Sequence, residues 1–206
     1  MSRRVAKRLL DVSVAACGLV LLSPLLLGAA MAIKLSGPGP VFFRQTRVGR
    51  YGAPFSIHKF RTMVSDAPAL GLPLTVGADP RITRIGAWLR ARRIDELPQL
   101  IDVLAGDMSL VGPRPEVPHW VARYPAELRE RVLAVKPGIT DPSTLAFADE
   151  ATLLAQAADP EREYVEVILP TKLALAADYA DSATLTSDLC VLWRTAALLL
   201  RRTPAA

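Results

Sequence analysis

The chain has 206 residues and 22.3 kDa, enough for one domain with a sizeable core but not for two full ones. Apolar residues make up 51% and charged residues 22%, with a mean hydropathy of +0.27, which excludes a disordered or collagen-like chain and points to contact with lipid. The net charge of +5 is uneven: residues 1–61 carry ten Lys/Arg against Asp11 alone, so the remainder is net acidic, and the basic front suits nucleic acid, an anionic membrane surface or a phosphorylated substrate.

The first element is an uncharged run from Val12 to Ile33, twenty-two residues. At about 1.5 Å per residue in a helix it matches a hydrocarbon core of about 30 Å. Ser23-Pro24 interrupts it at the centre, because proline has no N–H to give the preceding turn. Basic residues flank both ends: Arg3, Arg4, Lys7 and Arg8 before, Lys34, Arg44, Arg47 and Arg50 after. Two geometries are open, a kinked span or a hairpin that enters and leaves through one leaflet, and the second keeps both basic flanks on one side. A carbonyl freed at the break would need Ser23 or a neighbouring group as partner.

Ser36-Gly37-Pro38-Gly39-Pro40 ends the helix, and Val41–Phe43 and Phe55–Phe60 read as two strands of a hairpin around Gly49-Arg50-Tyr51-Gly52. Residues 65–80, with Pro68, Gly71, Pro73, Gly77 and Pro80, read as a loop. Helical spacing resumes from Arg84 to Leu104, with Pro98 marking a kink or a fresh first turn. Leu110-Val111-Gly112-Pro113-Arg114-Pro115 reads as a rigid extended turn, and further helices are expected over about 117–134, over 149–166 with a break at Asp159-Pro160, and over 171–202 as one or two pieces. The last, Leu185 to Arg202, is apolar nearly all round, so it either packs in the core or lies on the bilayer with Arg194, Arg201 and Arg202 toward headgroups.

The densest chemistry is Arg90, Arg92, Arg93, Asp95 and Glu96, followed by Asp107 and Arg114. Guanidinium groups grip phosphate bidentately, and carboxylates offer Mg²⁺ ligands and an oxygen nucleophile, a mixture suited to phosphoryl transfer. The bland alternative is a solvent-facing helix with an Arg92–Glu96 pair at i,i+4. Asp95 and Glu96 lie about 100° apart on a regular helix, so they serve one atom only if the helix starts or bends there. Phosphate-binding glycine loops and HExxH are absent, His58 on its strand reads as structural, and Cys17 and Cys190 form neither a CxxC nor a disulfide framework, in keeping with a reducing compartment.

Seven blocks in order resemble the bacterial sugar transferases, the small monotopic phosphoglycosyl transferases: Lys7-Arg8 with Asp11; the apolar run with Ser23-Pro24; Gly39 to Gly49; Phe55 with Lys59-Phe60-Arg61-Thr62-Met63; Asp95-Glu96-Leu97-Pro98-Gln99-Leu100; Gly106 to Pro115; and Lys136-Pro137-Gly138-Ile139-Thr140. The resemblance implies an α+β, mainly helical fold: a re-entrant membrane helix-break-helix over residues 1–36, then a catalytic domain over 37–206 with a small β-hairpin and amphipathic interfacial helices around one core. It implies transfer of a sugar 1-phosphate from a UDP-sugar to undecaprenyl phosphate, with release of UMP, as the first step of a surface glycan.

On this chain it makes Asp95 the nucleophile and Glu96 its partner, both near Mg²⁺, with Lys59, Arg61, Arg90, Pro113, Arg114 and Pro115 binding substrate, Ser23 and Pro24 forming the membrane break, and Lys7 and Arg8 at the headgroups. Two bulky anions bound in turn predict ping-pong kinetics. The implied setting is the cytoplasmic face of a bacterial inner membrane, with lipid of one leaflet and no nucleic acid as partner; a homodimer is left open, and the length suggests the catalytic core alone. Asp141-Pro142-Ser143-Thr144 stands where many members have Gly-x-x-Gln, so the choice of sugar does not follow. The competing reading is a non-catalytic, membrane-anchored protein that binds anionic lipid and docks a partner. A nucleic-acid binder is disfavoured by the net-acidic surroundings of the arginines and by only 6% aromatic residues.

Overall fold

A computed structural model describes residues 3–67, 70 and 74–201. Pro68, Gly71 and Pro73 of the expected loop, and Arg202 of the last helix, lie outside the described residues. The described chain is mainly helical, with two small sheets.

Helix α1 (Arg3–Leu21) and helix α2 (Ser23–Leu35) meet at Leu22 with a bend of 62°. The cause is local. In an unbroken helix the Val20 carbonyl would accept from the N–H of residue 24, which proline lacks. The Ser23 hydroxyl takes its place, donating to Val20 O at 2.8 Å. Among the described residues no single helix is long and apolar enough to cross a membrane; the bent pair together meets that test by length and composition. Val20, Leu21, Leu27, Met31 and Leu35 are all exposed on it.

The charged start of α1 is built into the protein. Lys7 Nζ donates to Asp188 Oδ2 at 2.7 Å and to Val111 O at 3.1 Å, and Arg8 donates to the carbonyls of Val103 and Leu104 at 2.6 and 2.9 Å. Buried Asp11 accepts from Ser109 Oγ at 2.8 Å and from Leu110 N at 3.1 Å. The expectation that Lys7 and Arg8 sit at lipid headgroups therefore meets a different placement: both side chains hold the first turns of α1 against the rest of the fold, because buried carbonyls and a buried carboxylate need those donors more than solvated headgroups do.

The expected hairpin forms from β1 (Phe42–Val48) and β2 (Pro54–Phe60), antiparallel with Phe42 opposite Phe60 and Val48 opposite Pro54. Its turn uses Tyr51 at φ 58° and Gly52 at φ 82°. The helical region from Arg84 to Leu104 divides into α3 (Arg84–Ala91), a 3₁₀ turn (Ile94–Glu96) and α4 (Gln99–Ala105), the last a fresh helix that starts at Pro98 as expected. Beyond it, β3 (Ser109–Val111) pairs in parallel with β4 (Gly138–Thr140), a sheet the sequence pattern does not reveal. A Cβ on Gly112 or Gly138 would strike the backbone of the opposite segment, so the close approach requires glycine at both. The helix expected over 117–134 is split by Pro125 into α5 (Pro118–Val121) and α6 (Ala126–Leu133).

Helices α7 (Pro142–Ala146), α8 (Glu150–Ala155), α9 (Pro160–Glu163) and α10 (Leu169–Ser182) follow, α9 and α10 joined by a π-helical turn over Tyr164–Ile168. Asp159 caps α9 where the break was expected. Asp141, fully buried, caps α7 by accepting from Thr144 N at 2.7 Å and from the Ser143 hydroxyl, so the departure at 141–144 is a helix start. Helix α11 (Leu185–Arg201) resolves its two readings by having two faces: Asp188 and Val191 are buried, while Leu189, Trp193 and Leu200 are exposed.

Candidate active site

The site is assembled where α3 ends. Thr83 caps α3 by accepting from Gly86 N at 3.0 Å, and its own N–H donates to Thr62 O at 3.0 Å, which fixes the helix to the chain just after β2. Gly86 packs so closely on the Thr62 carbonyl that no Cβ fits. This places Arg90, near the end of α3, with Nε on Thr62 Oγ1 at 2.8 Å and Nη1 on Thr75 Oγ1 at 3.2 Å.

Arg93 then adopts φ 55°, a left-handed conformation that costs a non-glycine residue about 1–2 kcal/mol, and the chain turns inward. Asp95 and Glu96 fall on the short 3₁₀ turn that results, each 7% exposed. The bend that the sequence required for both carboxylates to serve one site is thus supplied by Arg93 and not by Pro98, which begins α4. The solvent-facing alternative is overturned by the same geometry. Arg92 lies over the Trp88 ring at 4.6 Å instead of pairing with Glu96, and Glu96 is buried among cations from elsewhere.

The two carboxylates have different surroundings. Glu96 Oε1 accepts from Lys59 Nζ at 2.8 Å and from Arg114 Nη2, and Oε2 lies 3.4 Å from Arg114 Nη1 and 3.5 Å from Arg93 Nη1. Asp95 Oδ1 is buried with no hydrogen-bond partner. Burial pushes Glu96 toward its neutral form, but Arg114, Lys59 and Arg93 together outweigh it and hold the carboxyl well below the usual range. Burial, and then the Glu96 charge, push Asp95 up, with Lys59, Arg90 and Arg93 opposing. Burial lowers Lys59 despite Glu96 beside it. One carboxylate is an anion inside a cationic clamp, and the other, beside it, has a buried oxygen with no hydrogen-bond partner.

Of the residues expected to bind substrate, Lys59, Arg90 and Arg114 gather around the dyad. Arg114 is positioned by Pro113 and Pro115, whose carbonyls accept from Gly138 N at 3.0 Å and from Arg47 Nη1 at 2.9 Å. Arg61 is placed elsewhere: its guanidinium donates to the carbonyls of Ile33, Gly37 and Pro38, closing the end of α2. Asp107 is exposed beyond α4. His58 is bound on both ring nitrogens, Nδ1 to Asp102 Oδ1 at 2.5 Å and Nε2 to Arg44, as its structural reading held. Two contributors escaped the sequence reading: Thr62, a neutral hydroxyl, and Glu116, which pairs with Arg47 at 3.5 Å and Lys172 at 3.6 Å behind Arg114.

Among the described residues no three potential metal-ligating side chains come together. What the site offers a hard divalent cation is Asp95 Oδ1, since both Glu96 oxygens already accept from cations. That donor set fits Mg²⁺ of the kind held by one or two carboxylates and completed by substrate phosphate oxygens.

A buried carboxylate pair ringed by arginines and a lysine is chemistry suited to a phosphorylated substrate. The chain belongs to the bacterial sugar transferase family, whose profile matches residues 2–202. It is 42% identical over 205 residues to a UDP-glucose:undecaprenyl-phosphate glucose-1-phosphate transferase of Caulobacter vibrioides, covering 94% of this chain and 69% of that protein. It is 50% identical over 111 residues to the exopolysaccharide production protein PSS of Rhizobium leguminosarum, covering 53% and 56%. A UDP-N-acetylgalactosamine-undecaprenyl-phosphate N-acetylgalactosaminephosphotransferase of Aeromonas hydrophila is 44% identical over 136 residues, 65% of this chain and 32% of that longer protein.

Proposed function

We propose that this chain transfers a sugar 1-phosphate from a UDP-sugar to undecaprenyl phosphate, releasing UMP, through a phosphosugar-aspartyl intermediate on Asp95. The reading rests on the contrast within the dyad, in which Glu96 is bound by Lys59, Arg93 and Arg114 while Asp95 Oδ1 has no partner. The names of the relatives supply the substrate class.

In the first step an Asp95 oxygen bonds to the β-phosphorus, and the bond from that phosphorus to the α-phosphate oxygen breaks, its electron pair leaving on UMP. In the second, a phosphate oxygen of undecaprenyl phosphate attacks the same phosphorus and the Asp95 carboxylate is released. Arg90 and Lys59 lie close enough to Asp95 to favour its ionised form and to offset diphosphate charge. Glu96 keeps Arg114 and Lys59 in place. Mg²⁺, when bound, would neutralise charge on the leaving phosphate, held by Asp95, by a Glu96 oxygen if one of its cation contacts gives way, and by the diphosphate.

The bent pair α1–α2 is read as a re-entrant anchor in one leaflet, over residues 1–36, with the catalytic residues of 37–206 at the cytoplasmic face of a bacterial inner membrane. Its support is the 62° bend, the satisfied Val20 carbonyl and the basic residues at both ends of the apolar run. There the phosphate of the lipid carrier and a soluble nucleotide sugar meet without either crossing lipid.

The test is to incubate the detergent-solubilised chain with Mg²⁺, polyprenyl phosphate and a panel of UDP-sugars and to measure UMP. Release with at least one sugar, abolished in Asp95→Asn, is expected. No release with any common UDP-sugar, or full activity in Asp95→Asn, would overturn the proposal.

A further inference from the structure

The cations around the dyad do not share one kind of partner. Lys59, Arg93 and Arg114 all pair with Glu96. Arg90 pairs with no carboxylate among the described residues: its Nε donates to Thr62 Oγ1 at 2.8 Å and its Nη1 to Thr75 Oγ1 at 3.2 Å. Burial lowers its pKa, and Asp95 is the anion that acts on it most strongly in the other direction, so the guanidinium lies beside the proposed nucleophile. It is half-buried and open to a ligand.

The choice of acceptor has a physical consequence. A carboxylate would bind a guanidinium about twice as strongly as a hydroxyl does, but it would also cancel the charge. Two hydroxyl oxygens fix the plane of the group and leave it a full cation. Taking such a cation partly out of water without an anion is unfavourable, and an anionic substrate is what would offset it.

Thr75 is held firmly enough to act this way. It stands between Leu74 and Val76, which both pack against the core containing Leu154 and Trp120. The Leu74 carbonyl accepts from Arg81 Nη2 at 2.8 Å, and Gly77 N donates to Ala151 O of α8 at 3.0 Å. With the backbone tied on both sides and a β-branched side chain that has few rotamers, the hydroxyl has one place to be.

We infer that Thr75 is a positioning residue of the phosphate site: with Thr62 it holds the Arg90 guanidinium in one orientation beside Asp95 without cancelling its charge, ready for the diphosphate of the nucleotide sugar. This rests on the phosphosugar-transfer reading above. The diphosphate is charged before and during the transfer, so the contact acts on KM more than on kcat. The competing role for the same bond is a tie between residues 74–77 and α3 that serves the fold alone.

Three variants separate the two, each assayed for UMP release in detergent over a range of UDP-sugar concentrations and melted without substrate. Thr75→Val keeps the volume and removes the acceptor; KM is expected to rise about 5-fold with kcat little changed. Thr75→Asn and Thr75→Asp share a shape and both present an acceptor, one neutral and one anionic. Thr75→Asn is expected to stay near the wild-type KM, whereas Thr75→Asp, which neutralises Arg90 and repels the diphosphate, is expected to lose about 10²-fold in kcat/KM. A wild-type KM in Thr75→Val overturns the inference, and if its melting temperature falls the bond is a fold tie. Equal kcat/KM in Thr75→Asn and Thr75→Asp overturns it as well. A wild-type chain that releases no UMP overturns the transfer reading itself, a failure visible before any Thr75 variant is made.

Discussion

Arg114 meets Glu96 with both arms of its guanidinium, Nη1 at 3.4 Å from Oε2 and Nη2 bonded to Oε1, across eighteen residues of sequence. The fork is what makes the contact an anchor, since a single ammonium would leave the carboxylate free to turn toward Asp95. Arg114→Lys keeps the charge and loses the fork. We expect kcat/KM to fall about 10-fold with the fold intact, measured by UMP release beside a far-ultraviolet circular dichroism spectrum. Unchanged kinetics in Arg114→Lys would show that charge alone suffices.

The dyad also separates activity from stability along the pH scale. Asp95 is raised from its ordinary value, chiefly through burial, and Glu96 is held well below its own, so the first proton taken up by the pair goes to Asp95. A carboxyl whose folded pKa is raised favours the folded state when protonated, so protonating Asp95 should remove the proposed nucleophile without weakening the fold. Glu96 is the reverse: its contribution to stability is present at neutral pH and is lost only as pH falls through its depressed value. On acidification, kcat/KM should therefore drop while the melting temperature contributed by this pair still holds. Because Lys59 opposes the rise at Asp95, Lys59→Met should move the acid limb of the rate profile to higher pH. An acid limb that stays put in Lys59→Met would assign it to another group.

Lys7 gives a stability test at the other end of the molecule. Asp188 is 1% exposed and is held by Lys7 Nζ at 2.7 Å and by the Tyr179 hydroxyl at 2.5 Å. Lys7→Met removes the compensating charge from a buried carboxylate and should destabilise the chain by about 3 kcal/mol, read as a lower melting temperature in detergent. The double variant Lys7→Met/Asp188→Asn should recover part of it. A Lys7→Met chain that melts like the wild type but binds anionic vesicles more weakly would return Lys7 to the headgroup role.

Pro24→Ala restores an N–H for the Val20 carbonyl and should straighten the pair α1–α2 toward a single continuous helix. Ser23→Ala alone keeps the bend and leaves that carbonyl without the hydroxyl, a cost of about 1 kcal/mol. The check is a cysteine placed after Ile33 or before Lys7 and labelled from outside intact cells. Neither site should label with the native Ser23-Pro24 break, whereas one of the two should label in Pro24→Ala.

Much of this was legible from residues whose constraint is local. Pro24 announced its own broken hydrogen bond, the Gly49-to-Gly52 segment announced a turn, and Asp159-Pro160 announced a helix break. The site was legible only as a concentration of charges. Its burial depends on Arg93 taking a left-handed conformation and on Lys59 and Arg114 converging from two distant segments, neither of which leaves a periodic trace. The parallel pair β3–β4 escaped because three-residue strands next to prolines look like a turn. The tertiary partners of Lys7 and Arg8 were not legible because a cation beside an apolar run fits a membrane surface and a buried carbonyl equally well.

The contacts of Lys7, Arg8 and Asp11 have a practical meaning for anyone handling the molecule. They join the leading helix to α4, β3 and α11 by ties of 2.6 to 3.1 Å, so the hydrophobic segment is a structural member and not a detachable leash. Trimming it to obtain a soluble enzyme would strip three partners from the interior along with the greasy surface. Under the transfer reading proposed above, it also means that Asp95 and Glu96 would ride at one set height above the plane that the helix pair occupies, leaving the lipid to bring its phosphate to them.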